Sequence, residues 1–224
     1  MNKHTIIIAE AGVNHNGSIE LAKQLIEEAA KAGADFVKFQ TFKADLLVSK
    51  TAKKAEYQKK NIGDGDDTQF AMLKKLELNE AAHLELIAHC EKCGIKFLST
   101  GFDKESIDFL DSLNIPFFKI PSGEITNKPY LQHIASKKKA VVMSTGMADM
   151  TEIKAALSVL TENGVAKDQL TVLHCNTEYP TPMEDVNLKA MLHIQRELGV
   201  QVGYSDHTNG IEIPIAAVAL GASV

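Results

Sequence analysis

Seven short apolar runs recur along the chain, and each ends in polar or reactive side chains. They read IIIAE (6–10), FVKFQ (36–40), KFLST (96–100), FFKIPSGE (117–124), VVMST (141–145), TVLHC (171–175) and QVGYSDH (201–207). Near-continuous apolar runs predict buried parallel strands, because helices covering both faces of a sheet leave no solvated side. Helix-like stretches lie between most of them. One starts at the N-cap Ser18, runs through ELAKQLIEEAAKA with Leu21, Leu25 and Ala29 on its apolar face, and ends at Gly33. Another opens at Asn79, reads EAAHLELIAHCEKC and stops at Gly94. Asp149 and Glu152 have the spacing of a capping box ahead of TEIKAALSVLTEN, which Gly164 closes. Segments 188–198 and 212–220 complete the helices. Segment 43–78 breaks the rhythm: it is polar and Lys-rich, holds the turn-like Gly63-Asp64-Gly65, and reads as an inserted excursion after the second strand.

Strand–helix alternation repeated this often predicts an α/β parallel sheet. In a doubly wound sheet only the strands at the switch point supply a site. In a (β/α)8 TIM-type barrel every strand end faces it. Here nearly every strand end carries a candidate, so the expected fold is the barrel, with about seven strands and a truncated eighth begun at ALGASV. Strands one and seven would then keep unpaired edges, an association hazard.

Bulk composition narrows the class. The 224 residues hold 24 basic and 29 acidic side chains, a net charge of −5, which gives no footprint for nucleic acid. No apolar stretch is long enough to span a bilayer, and Met1 to Thr5 lead straight into the first strand with no signal peptide. Three cysteines make no disulfide framework. The expectation is a cytoplasmic protein of one large domain.

The strand ends carry the chemistry. Glu10 closes an apolar strand, where a carboxylate is costly unless paired or wet. It is either a site carboxylate or the partner of Lys38 in a structural ion pair. Lys38 and Lys119 lie in strands two and four, and a lysine inside a buried strand is rare without a partner. Two of them suit a dianionic phosphate or carboxylate better than a Schiff base; snorkelling to the rim is the structural alternative. Thr100, Ser122, Ser144 and Ser205 are hydroxyls at four strand ends, each a turn residue on its own and together a phosphate cradle. Glu124, five residues past Lys119, suits general acid/base work. His174 and His207 end strands six and seven. His207, within SDHT, is the better metal candidate, although one histidine does not make a site. The C-x-x-C pair Cys90 and Cys93 falls on a helix with no second pair, and reads as apolar packing.

In order along the chain, AEAGVNHNGS (9–18), GADFVKFQTFK (33–43), FLSTGFD (97–103), FKIPSGEITN (118–127), MSTGMA (143–148), LHCNTEYPTP (173–182) and VGYSDHTNGIEI (202–213) resemble the sialic acid synthases, a family that takes in N-acetylneuraminate and legionaminic acid synthases. The resemblance implies a (β/α)8 barrel followed by an antifreeze-like domain. It implies condensation of phosphoenolpyruvate with an N-acetylated hexose, N-acetylmannosamine first and the legionaminic acid precursor as alternative, to an α-keto acid and phosphate. It also implies a homodimer and a divalent metal, manganese first and magnesium second, polarising the sugar aldehyde. By position, Lys38, Thr100, Lys119, Ser122, Ser144 and Ser205 match phosphoenolpyruvate-binding residues. Glu10 and Glu124 match catalytic carboxylates, Gln40 and Tyr179 lie near the sugar, and His207 is one of two metal histidines. Two departures stand out. Gly101 replaces the family's usual proline, which would loosen that turn, and Asn176-Thr177 places an asparagine one residue earlier than some members do. The second histidine and the capping domain lie outside these residues, so a ligand-binding fragment without turnover is a competing expectation. A keto-deoxy sugar acid synthase is another, against which YPTP and SDHT weigh.

Overall fold

The computed structural model describes residues 4–49 and 69–224. The chain divides into two compact units, one of Ile8–Leu113 and one of Met1–Ile7 with Asn114–Val224.

In the first unit three parallel strands lie in the order β1 (Ile8–Gly12), β2 (Phe36–Thr41), β3 (Lys96–Gly101). The register sets Glu10 beside Lys38 and Gln40 beside Thr100. Helix α1 (Ile19–Lys31) begins where Ser18 accepts the Leu21 N–H. Its buried stripe is Ala22, Ile26 and Ala29, whereas Leu21 is exposed. The apolar face thus runs one residue later than the leucines suggest, because small Ala22 and Ala29 let the helix approach its neighbours closely. Of the 43–78 excursion, α2 (Ala44–Leu47) and α3 (Gln69–Leu76) are described, and Gly63-Asp64-Gly65 lies outside the described residues. Helix α4 (Glu80–Cys93) is capped by Asn79 and ends at left-handed Gly94, and α5 (Lys104–Ser112) is capped by Asp103. The core joins Ile26, Val37, Phe39, Leu86, Ile95 and Phe97.

In the second unit four parallel strands run β4 (Phe117–Ile120), β5 (Ala140–Ser144), β6 (Leu170–Cys175), β7 (Gln201–Ser205). Helices α6 (Lys128–Ala135), α7 (Met150–Glu162), α8 (Lys189–Leu198) and α9 (Glu212–Ala219) alternate with them or follow them. The Asp149–Glu152 capping box forms as expected. Strand β4 ends at Ile120 and not at Glu124: Pro121 has no N–H to continue the ladder, and Ser122–Glu124 tighten into a 3-10 turn.

The edge of β7 differs from expectation. Ser223 donates its N–H to the Val202 carbonyl and Tyr204 donates to Val224, while Ile6 donates to Ser223 on the other side. Residues 222–224 therefore sit between β7 and the N-terminal segment, and the β7 edge is occupied. The first strand starts at Ile8, so Thr5 and Ile6 are released to make this pairing.

Candidate functional site

The first unit places Glu10, Lys38, Gln40 and Thr100 on adjoining strands. Lys38, only 9% exposed, is ion-paired to Glu10, whose side chain is half exposed. The structural alternative for Glu10 is therefore present in this geometry. A Cβ added at Gly12 would lie 3.2 Å from Glu10 Oε1 and 3.8 Å from Gln40 Nε2, so both side chains crowd the β1 bulge there. Thr100 is buried.

Behind this edge runs a buried polar chain that sequence reading missed. Thr41 Oγ1 lies 2.7 Å from both His83 Nε2 and Ser99 Oγ. His83 Nδ1 lies 2.8 Å from the Asn79 carbonyl, which only accepts, so Nδ1 carries the proton and Nε2 accepts from Thr41. Burial lowers the pKa of His83 and keeps this neutral tautomer. His15 is fully buried; its Nδ1 accepts the Gly17 N–H, so Nε2 carries a proton that has no acceptor among the described residues. Burial, with His83 nearby, lowers its pKa too. Asp103 is also buried: it caps α5 through Ser106 and accepts the Lys43 N–H, pinning the chain beyond β2. The D-x-x-S spacing was the legible signal for it. Gly101 is the last residue of β3. A Cβ there would lie 3.2 Å from Ile107, so the position is close-packed against α5.

The second unit places Lys119, Ser122, Glu124, Ser144, Tyr179, Ser205 and His207. Lys119 is buried, and two of its hydrogen bonds go to the Ile120 carbonyl at 2.9 Å and to Ser144 Oγ at 2.7 Å. Ser122 Oγ accepts the Gly146 N–H at 2.9 Å and sits 3.3 Å from Cys175 Sγ. Cys175 in turn pairs in register with Ser205. Glu124 accepts a hydrogen bond from Asn127 at 2.7 Å.

His207 donates Nδ1–H to the Asn176 carbonyl at 2.8 Å, and the Tyr179 ring lies over it with centroids 4.3 Å apart. The neutral ring then carries its lone pair on Nε2, the arrangement a metal-binding imidazole adopts when its other nitrogen is held by a carbonyl. Among the described residues no group of three or more His, Cys, Asp or Glu side chains could hold a metal. The residues present thus fit one ligand and not a full set. His174 is structural, with Nε2 donating to the Val186 carbonyl at 2.8 Å and its ring against Tyr204. The Tyr204 hydroxyl is buried and has no hydrogen-bond partner among the described residues, and its pKa is pushed up to about 12 chiefly by burial. Cys90 is buried, and burial raises its thiol to about 12, as apolar packing of the C-x-x-C pair requires.

Parallel strands alternating with helices, and polar groups at strand ends in both units, define an α/β protein of the (β/α) TIM-type barrel class. The NeuB family profile matches residues 25–224, and the chain belongs to that family. It is 58% identical over 222 residues to the N,N'-diacetyllegionaminic acid synthase of Campylobacter jejuni, covering 99% of this chain and 66% of that protein. It is 54% identical over 220 residues to the synthase of the same name from Legionella pneumophila, covering 97% and 62%. Against the human N-acetylneuraminate-9-phosphate synthase identity is 36% over 219 residues, covering 97% and 60%. The chain therefore spans between 60% and 66% of the length of these curated relatives. The crystal structure of an N-acetylneuraminic acid synthetase from Leptospira borgpetersenii, in complex with citrate, superposes with a TM-score of 0.84 at 33% identity, covering 99% of this chain and 72% of that one. Among the described residues no helix is long and apolar enough to cross a membrane.

Proposed function

We propose that the chain is the barrel portion of a synthase that condenses phosphoenolpyruvate with a hexose bearing two N-acetyl groups, forming a legionaminic-type acid and phosphate. One observation carries the choice of sugar: 58% and 54% identity to two N,N'-diacetyllegionaminic acid synthases, against 36% to an N-acetylneuraminate-9-phosphate synthase. The order expected from sequence, N-acetylmannosamine first, is reversed by that difference.

In this reading Lys38, Thr100, Lys119, Ser122, Ser144 and Ser205 are the residues that bind phosphoenolpyruvate, as the family resemblance implies. Buried lysines and hydroxyls at strand ends suit that task, since charge-assisted hydrogen bonds are the strong ones. The Ser144 hydroxyl orients the Lys119 ammonium. Gln40 and Tyr179 position the sugar. Glu10 and Glu124 move protons as the enol carbon attacks the aldehyde carbon, its oxygen becomes a hydroxyl, water adds at the carbon bearing phosphate, and the C–O bond to phosphate breaks. A divalent metal, manganese or magnesium, would take His207 Nε2 as one ligand and supply Lewis-acid polarisation of the aldehyde. A homodimer and a cytoplasmic setting belong to the same reading.

Phosphate release over a panel of sugars tests it. The expected result is faster release with a diacetamido hexose than with N-acetylmannosamine. Preference for N-acetylmannosamine would overturn the sugar assignment, and no release with any N-acylated hexose would overturn the synthase reading for this chain.

A further inference from the structure

Ser122 is tied to two neighbouring strand ends at once, and the tie depends on residues to which no role has been given. Its hydroxyl oxygen accepts the N–H of Gly146, two residues beyond the end of β5, at 2.9 Å. Its other neighbour is the thiol of Cys175, the last residue of β6, at 3.3 Å. The cluster is close-packed: a Cβ on Gly146 would lie 2.6 Å from Thr177 Cγ2, 3.0 Å from Ser122 Oγ and 3.2 Å from Cys175 Sγ. Cys175 is only 6% exposed, and its thiol lies against this hydroxyl.

A serine hydroxyl has one proton to give and two lone pairs to fill. Gly146 fills one lone pair. If Ser122 gives its proton to sulfur, it has none left for a ligand. If the thiol gives its proton to Ser122, both lone pairs are filled and the O–H must point elsewhere, as a donor only. An anionic ligand selects the second arrangement, because a donor aimed at an anion makes a charge-assisted bond and the alternative leaves lone pair facing negative charge.

We infer that Cys175 and Gly146 together position Ser122, making it an obligate hydrogen-bond donor to the phosphoenolpyruvate anion, with the Cys175 thiol as the group whose proton moves its bond to allow it. Cys175 is a positioning residue, since it acts through Ser122. The inference rests on the proposed reading of Ser122 as a phosphoenolpyruvate ligand. Its consequences are specific: what matters at position 175 is a small side chain with a donor hydrogen, and at position 146 the absence of a Cβ.

Calorimetric titration of phosphoenolpyruvate into the 224-residue chain tests both layers, alongside the thermal midpoint of each variant. Cys175→Ala removes the donor and should weaken phosphoenolpyruvate roughly three- to ten-fold, the value of one ordinary hydrogen bond. Cys175→Ser restores a donor of similar size and should recover most of that loss. Gly146→Ala should weaken binding at least as much as Cys175→Ala. A purely structural role would lower the thermal midpoint of Cys175→Ala and Cys175→Ser in step with affinity. Equal affinity for wild type and Cys175→Ala, or a Cys175→Ser protein as weak as Cys175→Ala, would overturn the inference and leave the proposed function standing. Wild type that does not bind phosphoenolpyruvate would overturn both.

Discussion

Two buried lysines sit third in their strands, Lys38 in β2 and Lys119 in β4, and the two units treat them differently. Each has a side-chain partner on a neighbouring strand, Glu10 of β1 and Ser144 of β5. Lys38 faces a carboxylate, Glu10, half of which is in water. Two of the hydrogen bonds of Lys119 go to neutral oxygens, the Ile120 carbonyl and the Ser144 hydroxyl. An ion pair with an exposed member is screened and contributes only ~0–1 kcal/mol. A carboxylate so placed can turn into solvent at little cost when another anion arrives. A hydroxyl buried as Ser144 is has no such route into solvent, and it holds the ammonium from within the protein. The lesson is that one lysine has a replaceable counter-ion and the other a fixed support.

The largest expected effect comes from removing the ammonium groups. Lys119→Met and Lys38→Met should each weaken phosphoenolpyruvate roughly ten- to a hundred-fold, the value of one charge-assisted hydrogen bond, with the sugar's apparent KM moving far less. Because Ser144 supports Lys119 without competing for a ligand, Lys119→Met should be the more damaging of the two. Steady-state kinetics with each substrate varied in turn checks this. Equal shifts for both substrates would mean that the lysines shape the fold and not the anion site.

These lysines were legible because charge inside an apolar run is conspicuous. So were the caps at Ser18, Asn79 and Asp149, where side-chain type and spacing suffice. The partners of the lysines were not equally plain. Glu10 beside Lys38 follows from strand register, which the sequence suggests. Ser144 beneath Lys119 and Cys175 beside Ser122 depend on which residue of β5 or β6 stands opposite, and a one-residue slip would change both. His15 and His83 were invisible as core residues, since burial of an imidazole depends on a tautomer and an acceptor supplied from distant segments. The 222–224 pairing was misread for a related reason: three residues with partners on both sides carry no periodic signal.

The unit that gives its lysine a carboxylate also buries two imidazoles, which sets up the second difference. Thr41→Val removes the hydroxyl shared by His83 and Ser99 and should destabilise the protein by about 1–3 kcal/mol, the cost of leaving buried polar atoms unpaired. Denaturant unfolding measures it, and a variant as stable as wild type would show that the chain of hydroxyls contributes nothing. Acid should act on the same region. Both His15 and His83 have pKa values lowered below the usual 6.5 in the folded state, first by burial. The unfolded chain therefore binds more protons below that pH, and the contribution of neutral imidazoles, complete above it, is lost as pH falls towards the folded-state values. Hydrogen exchange at pH 7 and pH 5 should show α4 and β2 losing protection on acidification. Protection unchanged there would mean that neither imidazole must charge on unfolding.

The smallest effect bears most directly on the contrast between the lysines. Glu10→Gln keeps the shape and a hydrogen-bond acceptor beside Lys38 and removes only the negative charge. If the carboxylate is a counter-ion that yields to substrate, removing it spares the ligand that competition, and phosphoenolpyruvate should bind tighter by roughly two- to five-fold, the range of an exposed ion pair. Turnover should nonetheless fall, because Glu10 is also assigned a proton-transfer role. Tighter binding with slower turnover separates the two roles in one variant. The corresponding change in the other unit, Ser144→Ala, should have the opposite sign in binding, since it removes a support and no competitor. Binding that weakens in Glu10→Gln as it does in Ser144→Ala would show that both lysines need their partners in place, and the distinction between a replaceable counter-ion and a fixed support would fall.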